Sequence, residues 1–500
     1  MDKLKDLRKQ IDELDTEIME KIAARLKLMP QIYQAKSQLQ LPLTDEAREQ
    51  AVLAKTEFFP YPQEISAIYA EIIRQSKARQ FATGLVGKSL SYSYSPLIHK
   101  AFGNSNYQLF ETADLENFLK TNAHIGLNIT NPFKVQASKL AHNLSPIAQK
   151  TQITNVLSWE SGQRQGDNVD YQAFWEMLDY FQIDCSNEKV LILGNGATAQ
   201  TVFWAVKDRG AKTVQKLGRT LHEETDDYLA NIANYQDYTI IVNTIPYGVH
   251  PQLESTYLVS FDQFTSPKAF IDVNYNPHRS AFLQEGRKLQ RTFPQLKLAY
   301  GLYMLVSGGR LTEEIWQKQK ITSPKTIDVV KTVYLQHVNI VLIGLPYSGK
   351  TILGKALAYT LGKTFFDSDE ILESRKQSIH DLPSLEEFRA QEKAVIKELA
   401  KKQNSVIATG GGVVENEENM LLLSQNSIII WLNLPFEWLI PRIDETRPLS
   451  HTIDKLKALA QNRERLYREF ADIIIDNPHN ILQETGEKLN EYLNHQWPES

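Results

Sequence analysis

A single cysteine, Cys185, stands in 500 residues. No intrachain disulfide can form, and so little thiol suits a reducing compartment such as the cytoplasm. Glycine and histidine are both missing from residues 1–80. That stretch lacks the usual turn-maker and the commonest proton shuttle. No apolar run is long enough to cross a bilayer: one of the longest, Ser427 to Leu434, falls far short of the roughly 20 residues required. The opening MDKLKDLRKQ has no apolar core of a secretion signal. A basic excess is missing too, since the formal net charge is -5, so nothing marks the chain as a nucleic-acid binder. Repeats and low-complexity tracts are lacking. What remains is an ordinary globular composition, 42% hydrophobic and 23% charged, in 500 residues, a length that implies about three domains.

The blocks differ in texture. Residues 1–80 are charged and helical in pattern, and residues 82–318 mix strand-like runs with Gly, Asn and Pro turns. Residues 319–337 read as a polar linker, and residues 338–495 form a last α/β block. There the apolar run Asn339 to Ile343 leads straight into GLPYSGKT, Gly344 to Thr351. A buried strand, G-x-x-x-x-G-K-T and a following helix predict a phosphate loop, whose backbone amides and helix N-terminus cradle phosphate oxygens. Gly344, Ser348 and Gly349 belong to the loop, Lys350 reaches the transferred phosphate, and Thr351 holds Mg²⁺ through its hydroxyl. ATP with Mg²⁺ is the expected ligand.

Beyond the loop come Asp367-Ser-Asp369, Arg389-x-x-Glu392, Thr409-Gly410-Gly411-Gly412, Arg447-Pro-Leu and Arg463-x-x-x-Tyr467. This set, in this order, resembles shikimate kinase. The resemblance implies that Asp367 supports Mg²⁺ and that Asp369 positions the accepting 3-hydroxyl and takes its proton. Arg389 and Arg463, with Gly411 and Gly412, clamp the shikimate carboxylate and ring, as bidentate guanidinium groups can. Arg447 sits on a lid that closes over ATP.

In the middle block, the strand-like Lys189 to Leu193 runs into Gly194-Asn-Gly196-Ala197-Thr-Ala199, a dinucleotide fingerprint in a strand-to-helix setting. Arg219-Thr220 stand where an NAD-binder usually carries an acid, and an arginine there suits a 2′-phosphate, so NADP(H) is expected. Upstream lie Ser93-Tyr-Ser95-Pro, Thr130-Asn-Pro-Phe-Lys134, Asn155 and Gly166-Asp167-Asn-Val-Asp170. Together these resemble a shikimate dehydrogenase. The resemblance implies a substrate lobe (82–185 and 300–318) and a Rossmann NADP lobe (186–299). It also implies reduction of 3-dehydroshikimate to shikimate, with Lys134 and Asp167 as the proton-donating pair. Ser93, Ser95, Thr130, Asn155 and Asp167 would hold the substrate's hydroxyls and carboxylate.

In the first block Leu4, Leu7, Ile11, Leu14 and Ile18 alternate three and four apart, an amphipathic helix with a coiled-coil-like seam. Arg25 and Lys36 are eleven residues apart on nearly one face, about 16 Å along the axis. Arg8 lies about 42 Å from Lys36 on a straight helix, so it can serve the same ligand only from a second chain. With Asp45-x-x-Arg48-Glu49 and the pair Ser76 and Gln80, these residues resemble the all-helical chorismate mutases. The resemblance implies that Arg8, Arg25 and Arg48, with Asp45 and Ser76, bind the substrate. Lys36 and Gln80 would meet the ether oxygen and Glu49 the ring hydroxyl. The rearrangement of chorismate to prephenate needs only a compact conformer and charge aimed at the breaking bond.

The resulting expectation is a multidomain cytoplasmic protein: an all-α domain, an α/β dehydrogenase and an α/β P-loop kinase. It acts on small molecules, with no nucleic-acid or membrane partner, and forms a homodimer through the first block. An alternative keeps only the kinase catalytic and makes the front modules dimerising, sensing or substrate-holding elements. Pro30, a helix-interior proline, and Gly308, where a glutamine is usual, are the residues that favour it.

Overall fold

The computed structural model describes residues 2–38, 45–80, 83–121, 126–160, 162–221, 226–378, 380–444, 449–477 and 479–498. The chain divides into two compact units, Met1–Gln172 with Gly308–Pro324 and Ala173–Ser307 with Lys325–Ser500.

In the first unit, strong helix formers without a glycine build Asp2–Gln38, which runs through Pro30 without interruption. One lost amide does not stop a helix that propagates on both sides of it. Helix Pro62–Gln80 packs along it, and Asp45 caps helix Glu46–Ala54. The rest of the unit is built on a sheet with strand order Gln108–Glu111, Thr83–Gly87, Gly126–Ile129, Val156–Glu160, Gln163–Asp167, Asn143–Leu144. Val156–Glu160 is antiparallel to both neighbours and the other pairings are parallel.

The second unit holds two parallel sheets. One runs Lys297–Tyr300, Ala269–Asp272, Ile240–Asn243, Lys189–Leu193, Thr213–Gly218, Asp227–Tyr228; the other runs Thr364–Asp367, Ser405–Ala408, Asn339–Ile343, Ser427–Leu432, Ile473–Ile475. Central strands such as Asn339–Ile343 are buried along their whole length, which explains why they read as unbroken apolar runs. The segment expected as a linker is partly ordered structure: Thr326–His337 is a helix that buries Ile327, Val330, Val333 and Tyr334. Their spacing of three and four residues is that of an amphipathic helix, and it outweighs the polar stretch ahead of it.

A buried ion pair joins the two sheets' domains inside this unit. Arg279 donates from Nη1 to Asp472 Oδ1 and from Nη2 to Oδ2, both at 2.8 Å, and its Nη2 also meets the Ser427 carbonyl. Asp472 accepts the amide of Ile429 as well, at 2.9 Å. Beside them Trp497 is fully buried and packs against Phe181, His278, Tyr300 and Tyr334. Removing one partner of a buried pair strands the other's charge. Arg279→Ala is therefore expected to cost about 3–5 kcal/mol in a denaturant titration, whereas Arg291→Ala, whose pair with Glu469 is largely exposed, should cost about 1 kcal/mol or less.

Candidate active sites

Strands Asn339–Ile343 and Ser405–Ala408 are neighbours, and a loop leaves the carboxyl end of each, where open α/β sheets bind ligands. The first loop is the glycine-rich turn. Gly344 (φ +144°) and Gly349 (φ +86°) take backbone conformations that side chains disfavour, and Tyr347 (φ +68°) strains into the same region. Lys350, almost wholly buried, donates to the carbonyls of Gly344 at 3.0 Å and Leu345 at 2.9 Å. Thr351 Oγ1 donates to Asp367 Oδ2 at 2.7 Å. Ser348 Oγ is buried with no hydrogen-bond partner among the described residues. An orphaned hydroxyl beside a lysine and a hydroxyl–carboxylate pair fits a nucleotide phosphate with Mg²⁺. Among the described residues no cluster of three His, Cys, Asp or Glu could hold a metal.

The second loop is Gly410 to Gly412. Together with Pro346 of the first loop, Asp369, Arg389 and Arg463 it lines a cavity of about 230 Å³. Asp367 Oδ1 accepts the amide of Asp369 at 2.9 Å, which fixes Asp369 two residues from the Thr351 pair. The turn lies close against two site side chains: a Cβ at Gly410 would lie 2.7 Å from Asp369 Oδ1, and one at Gly412 would displace the Arg389 guanidinium. Arg389 pairs with Glu392 at 2.8 Å and with Glu415 at 2.7 Å, and Arg463 Nε donates to Glu415 at 2.9 Å. Glu415 had no sequence motif to mark it. Arg447 lies outside the described residues. Tyr347 OH donates to the carbonyl of Asp444 at 3.2 Å, so the segment leading to Arg447 begins at the phosphate loop.

In the NADP lobe, Gly194 (φ +112°) ends strand Lys189–Leu193, and Gly196 precedes helix Ala197–Asp208, which contains Ala197 and Ala199. A Cβ at Gly196 would meet nothing within 4 Å. The glycine is thus not demanded by the protein's own packing, and the open space fits a pyrophosphate at the helix N-terminus. Arg219 and Thr220 follow strand Thr213–Gly218 and are exposed.

In the substrate lobe the structure corrects one expected pairing. Lys134 Nζ donates to Asp170 at 2.7 Å, and Asp167 instead accepts from Ser145 Oγ at 2.5 Å and from the amide of Asn168 at 2.7 Å. The backbone explains both why the first expectation was close and why it failed. Thr154 N donates to the Lys134 carbonyl and Asn155 N to the Asp167 carbonyl, so Lys134 and Asp167 flank adjacent residues. Asp167, however, ends strand Gln163–Asp167, while Asp170 lies in the first turn of helix Val169–Tyr180, and only the latter turns its carboxylate to the lysine. Lys134 itself opens helix Lys134–Leu140, where the helix dipole opposes a cation and a carboxylate partner offsets it. Asn155 Oδ1 accepts the amide of Val169 at 2.9 Å, and Ser93 Oγ accepts that of Ser95 at 3.2 Å. Thr130 follows strand Gly126–Ile129.

In the first block Arg25 donates to Ser76, which donates in turn to the Ile72 carbonyl. This brings two of the expected residues together across helices Asp2–Gln38 and Pro62–Gln80. Asp45 accepts the amide of Arg48 at 3.0 Å, so its carboxylate caps helix Glu46–Ala54. Arg8 and Arg48 are exposed, and Glu49 is half-buried. Lys36 and Gln80 lie on the two helices, but their side chains fall outside the described residues.

The geometry thus defines a P-loop phosphotransferase, a two-lobed dinucleotide-dependent reductase and a helical domain in one chain. The family model "Shikimate kinase" matches residues 346–494, "Shikimate dehydrogenase substrate binding domain" matches residues 85–157, and "Chorismate mutase type II" matches residues 7–81. A shikimate kinase of Chromobacterium violaceum is 42% identical over 28% of this chain and 80% of its own length. A shikimate dehydrogenase (NADP(+)) of Clostridium perfringens is 30% identical over 48% of this chain and 93% of its own length. A chorismate mutase/shikimate 5-dehydrogenase fusion from Clostridium acetobutylicum is 28% identical over 51% of this chain and 97% of its own, with a TM-score of 0.47. The chain belongs to the shikimate kinase family in its last block and the shikimate dehydrogenase family in its middle block, and its first block matches the chorismate mutase type II model. It is an enzyme of three catalytic domains, and the alternative in which the front modules only bind is not favoured.

Because Gly196 faces open space, Gly196→Ala should leave the thermal midpoint unchanged while raising the KM for NADPH about tenfold or more. Differential scanning calorimetry and a cofactor titration separate the two effects.

Proposed function

We propose that the chain catalyses three reactions of aromatic biosynthesis: chorismate to prephenate, NADPH-dependent reduction of 3-dehydroshikimate to shikimate, and ATP-dependent 3-phosphorylation of shikimate. The observation that carries the reading is the single cavity that collects Asp369, Arg389, Arg463 and the Gly410–Gly412 turn next to the phosphate loop. In that cavity Arg389 and Arg463 bind the carboxylate, and Asp369 takes the proton of the accepting hydroxyl. Lys350 leaves its two carbonyl partners to meet the transferred phosphoryl group. A magnesium ion held by Thr351 and Asp367 would neutralise phosphate charge. Arg447 would close a lid that keeps water from the phosphoryl group.

In the middle block NADPH supplies the hydride, with Gly194, Gly196 and Arg219 as its anchors. Lys134 gives the proton that the new alkoxide requires, and Asp170 orients it and carries its charge balance. Ser93, Ser95, Thr130 and Asn155 hold the substrate. Asp170→Asn is expected to lower kcat for 3-dehydroshikimate reduction about 10²- to 10⁴-fold, with Asp167→Asn milder. NADPH consumption at 340 nm measures both, and equal losses would return Asp167 to the pair.

In the first block Arg25, Lys36, Arg48, Glu49 and Gln80 enclose chorismate together with Arg8 of a second copy. Leu4, Leu7, Ile11, Leu14 and Ile18 are each about half exposed, an apolar stripe that a homodimer would cover. Ile11→Asp should yield monomers by light scattering and abolish prephenate formation while shikimate phosphorylation persists. Burial holds the Cys185 thiol up to about 12, an inert group suited to a cytoplasmic protein. Assays of the purified full chain with each of the three substrates test the reading as a whole, and failure to phosphorylate shikimate with ATP overturns its best-supported part.

A further inference from the structure

The two arginines assigned to the acceptor's carboxylate are already bridged by one. Glu415 gives Oε2 to Arg389 Nη2 at 2.7 Å and Oε1 to Arg463 Nε at 2.9 Å, one oxygen to each guanidinium, as a bridging ligand carboxylate would. Arg389 does not depend on it for orientation, because both oxygens of Glu392 accept from its Nη1, at 2.8 and 3.0 Å. Tyr467 OH donates to the Gly411 carbonyl at 2.6 Å, anchoring the helix of Arg463 to the glycine turn without help from Glu415.

Charge adds a second constraint. The two guanidinium groups already pair with Glu392 and Glu415, and Asp369 and Glu373 also line the cavity. An incoming carboxylate would add to this negative charge, in a site where burial and the neighbouring acids Asp369 and Glu415 already push Glu392 up against the opposing pull of Arg389. Of the two acids on the arginines, Glu392 is fixed, with its side chain 3% exposed, whereas that of Glu415 is 40% exposed. Glu415 alone can turn to water cheaply.

We propose that Glu415 is an exchangeable placeholder for the substrate carboxylate. It bridges Arg389 and Arg463 in the empty site and swings to solvent when an anionic ring acid takes its position. The device keeps the charge of both guanidinium groups compensated between turnovers. It also sets specificity, because a ligand without a carboxylate cannot displace it. The proposal rests on the kinase reading above. Wild-type turnover of shikimate reports on that reading, and only the ratio of variant to wild type reports on Glu415.

The test uses the full chain with Glu415→Gln, which keeps the shape and removes the competing charge. The expected result is a KM for shikimate about three- to tenfold lower, the scale of one partly exposed ion pair, with the KM for ATP unmoved. Inhibition by cyclohexanecarboxylate should tighten by the same factor, while the uncharged cyclohexanecarboxamide gains nothing. Glu415→Asp, too short to span both arginines, should shift the same way by less, and it serves if the Gln variant fails to fold. A raised KM for shikimate would mean that Glu415 only positions the arginines, and an unchanged one that it never competes. Either result overturns the proposal.

Discussion

A cation that waits for an anionic ligand cannot be left bare in the wall of a pocket. Its desolvation must be met before the ligand arrives, or the site collapses or the group loses its charge. This chain meets the requirement repeatedly and with different chemistry. Lys134 leans on Asp170, Arg389 on Glu392 and Glu415, Lys350 on two backbone carbonyls, and Arg25 on the hydroxyl of Ser76. The partners differ in how easily they are given up. A carbonyl or a half-exposed glutamate can be exchanged for a ligand, whereas a buried glutamate such as Glu392 stays.

Much of this was legible in the chain itself. The phosphate loop and the Gly194–Gly196 turn declare themselves because Gly344, Gly349 and Gly194 take positive φ, where glycine is favoured, and the Gly410–Gly412 turn lies close against the Asp369 and Arg389 side chains. The acids were harder. Asp167 and Asp170 lie three residues apart, and which of them reaches Lys134 depends on where a strand stops and a helix starts, a boundary that local sequence defines poorly. Asp45 shows the same ambiguity, since an acid ahead of a helix serves equally well as a cap or as a ligand group. Glu415 was invisible because its meaning comes wholly from two arginines distant in the chain. The helix Thr326–His337 was hidden behind the polar residues that precede it.

Fusion has left its mark on packing as well as on gene order. The NADP lobe and the kinase domain lie in one compact unit, and their shared boundary contains a bidentate arginine–carboxylate pair rather than a flexible tether. Asp472, which takes the arginine, also terminates a hydrogen bond from strand Ser427–Leu432, the neighbour of the strand that carries the phosphate loop. An ionic link of this kind is intolerant of partial loss and so ties the two domains' integrity together. The dinucleotide-binding sheet and the kinase sheet are thereby held within one compact unit.

The position of Trp497 bears on how such a chain matures. Its indole fills a ring cluster supplied largely by Phe181, His278 and Tyr300 of the middle block. During synthesis these three emerge from the ribosome long before their partner, and the hole they frame stays open while the whole kinase is translated. The reductase portion reaches its finished packing only after the phosphotransferase has been made, so the quality of the last segment governs the maturation of a domain completed hundreds of codons earlier.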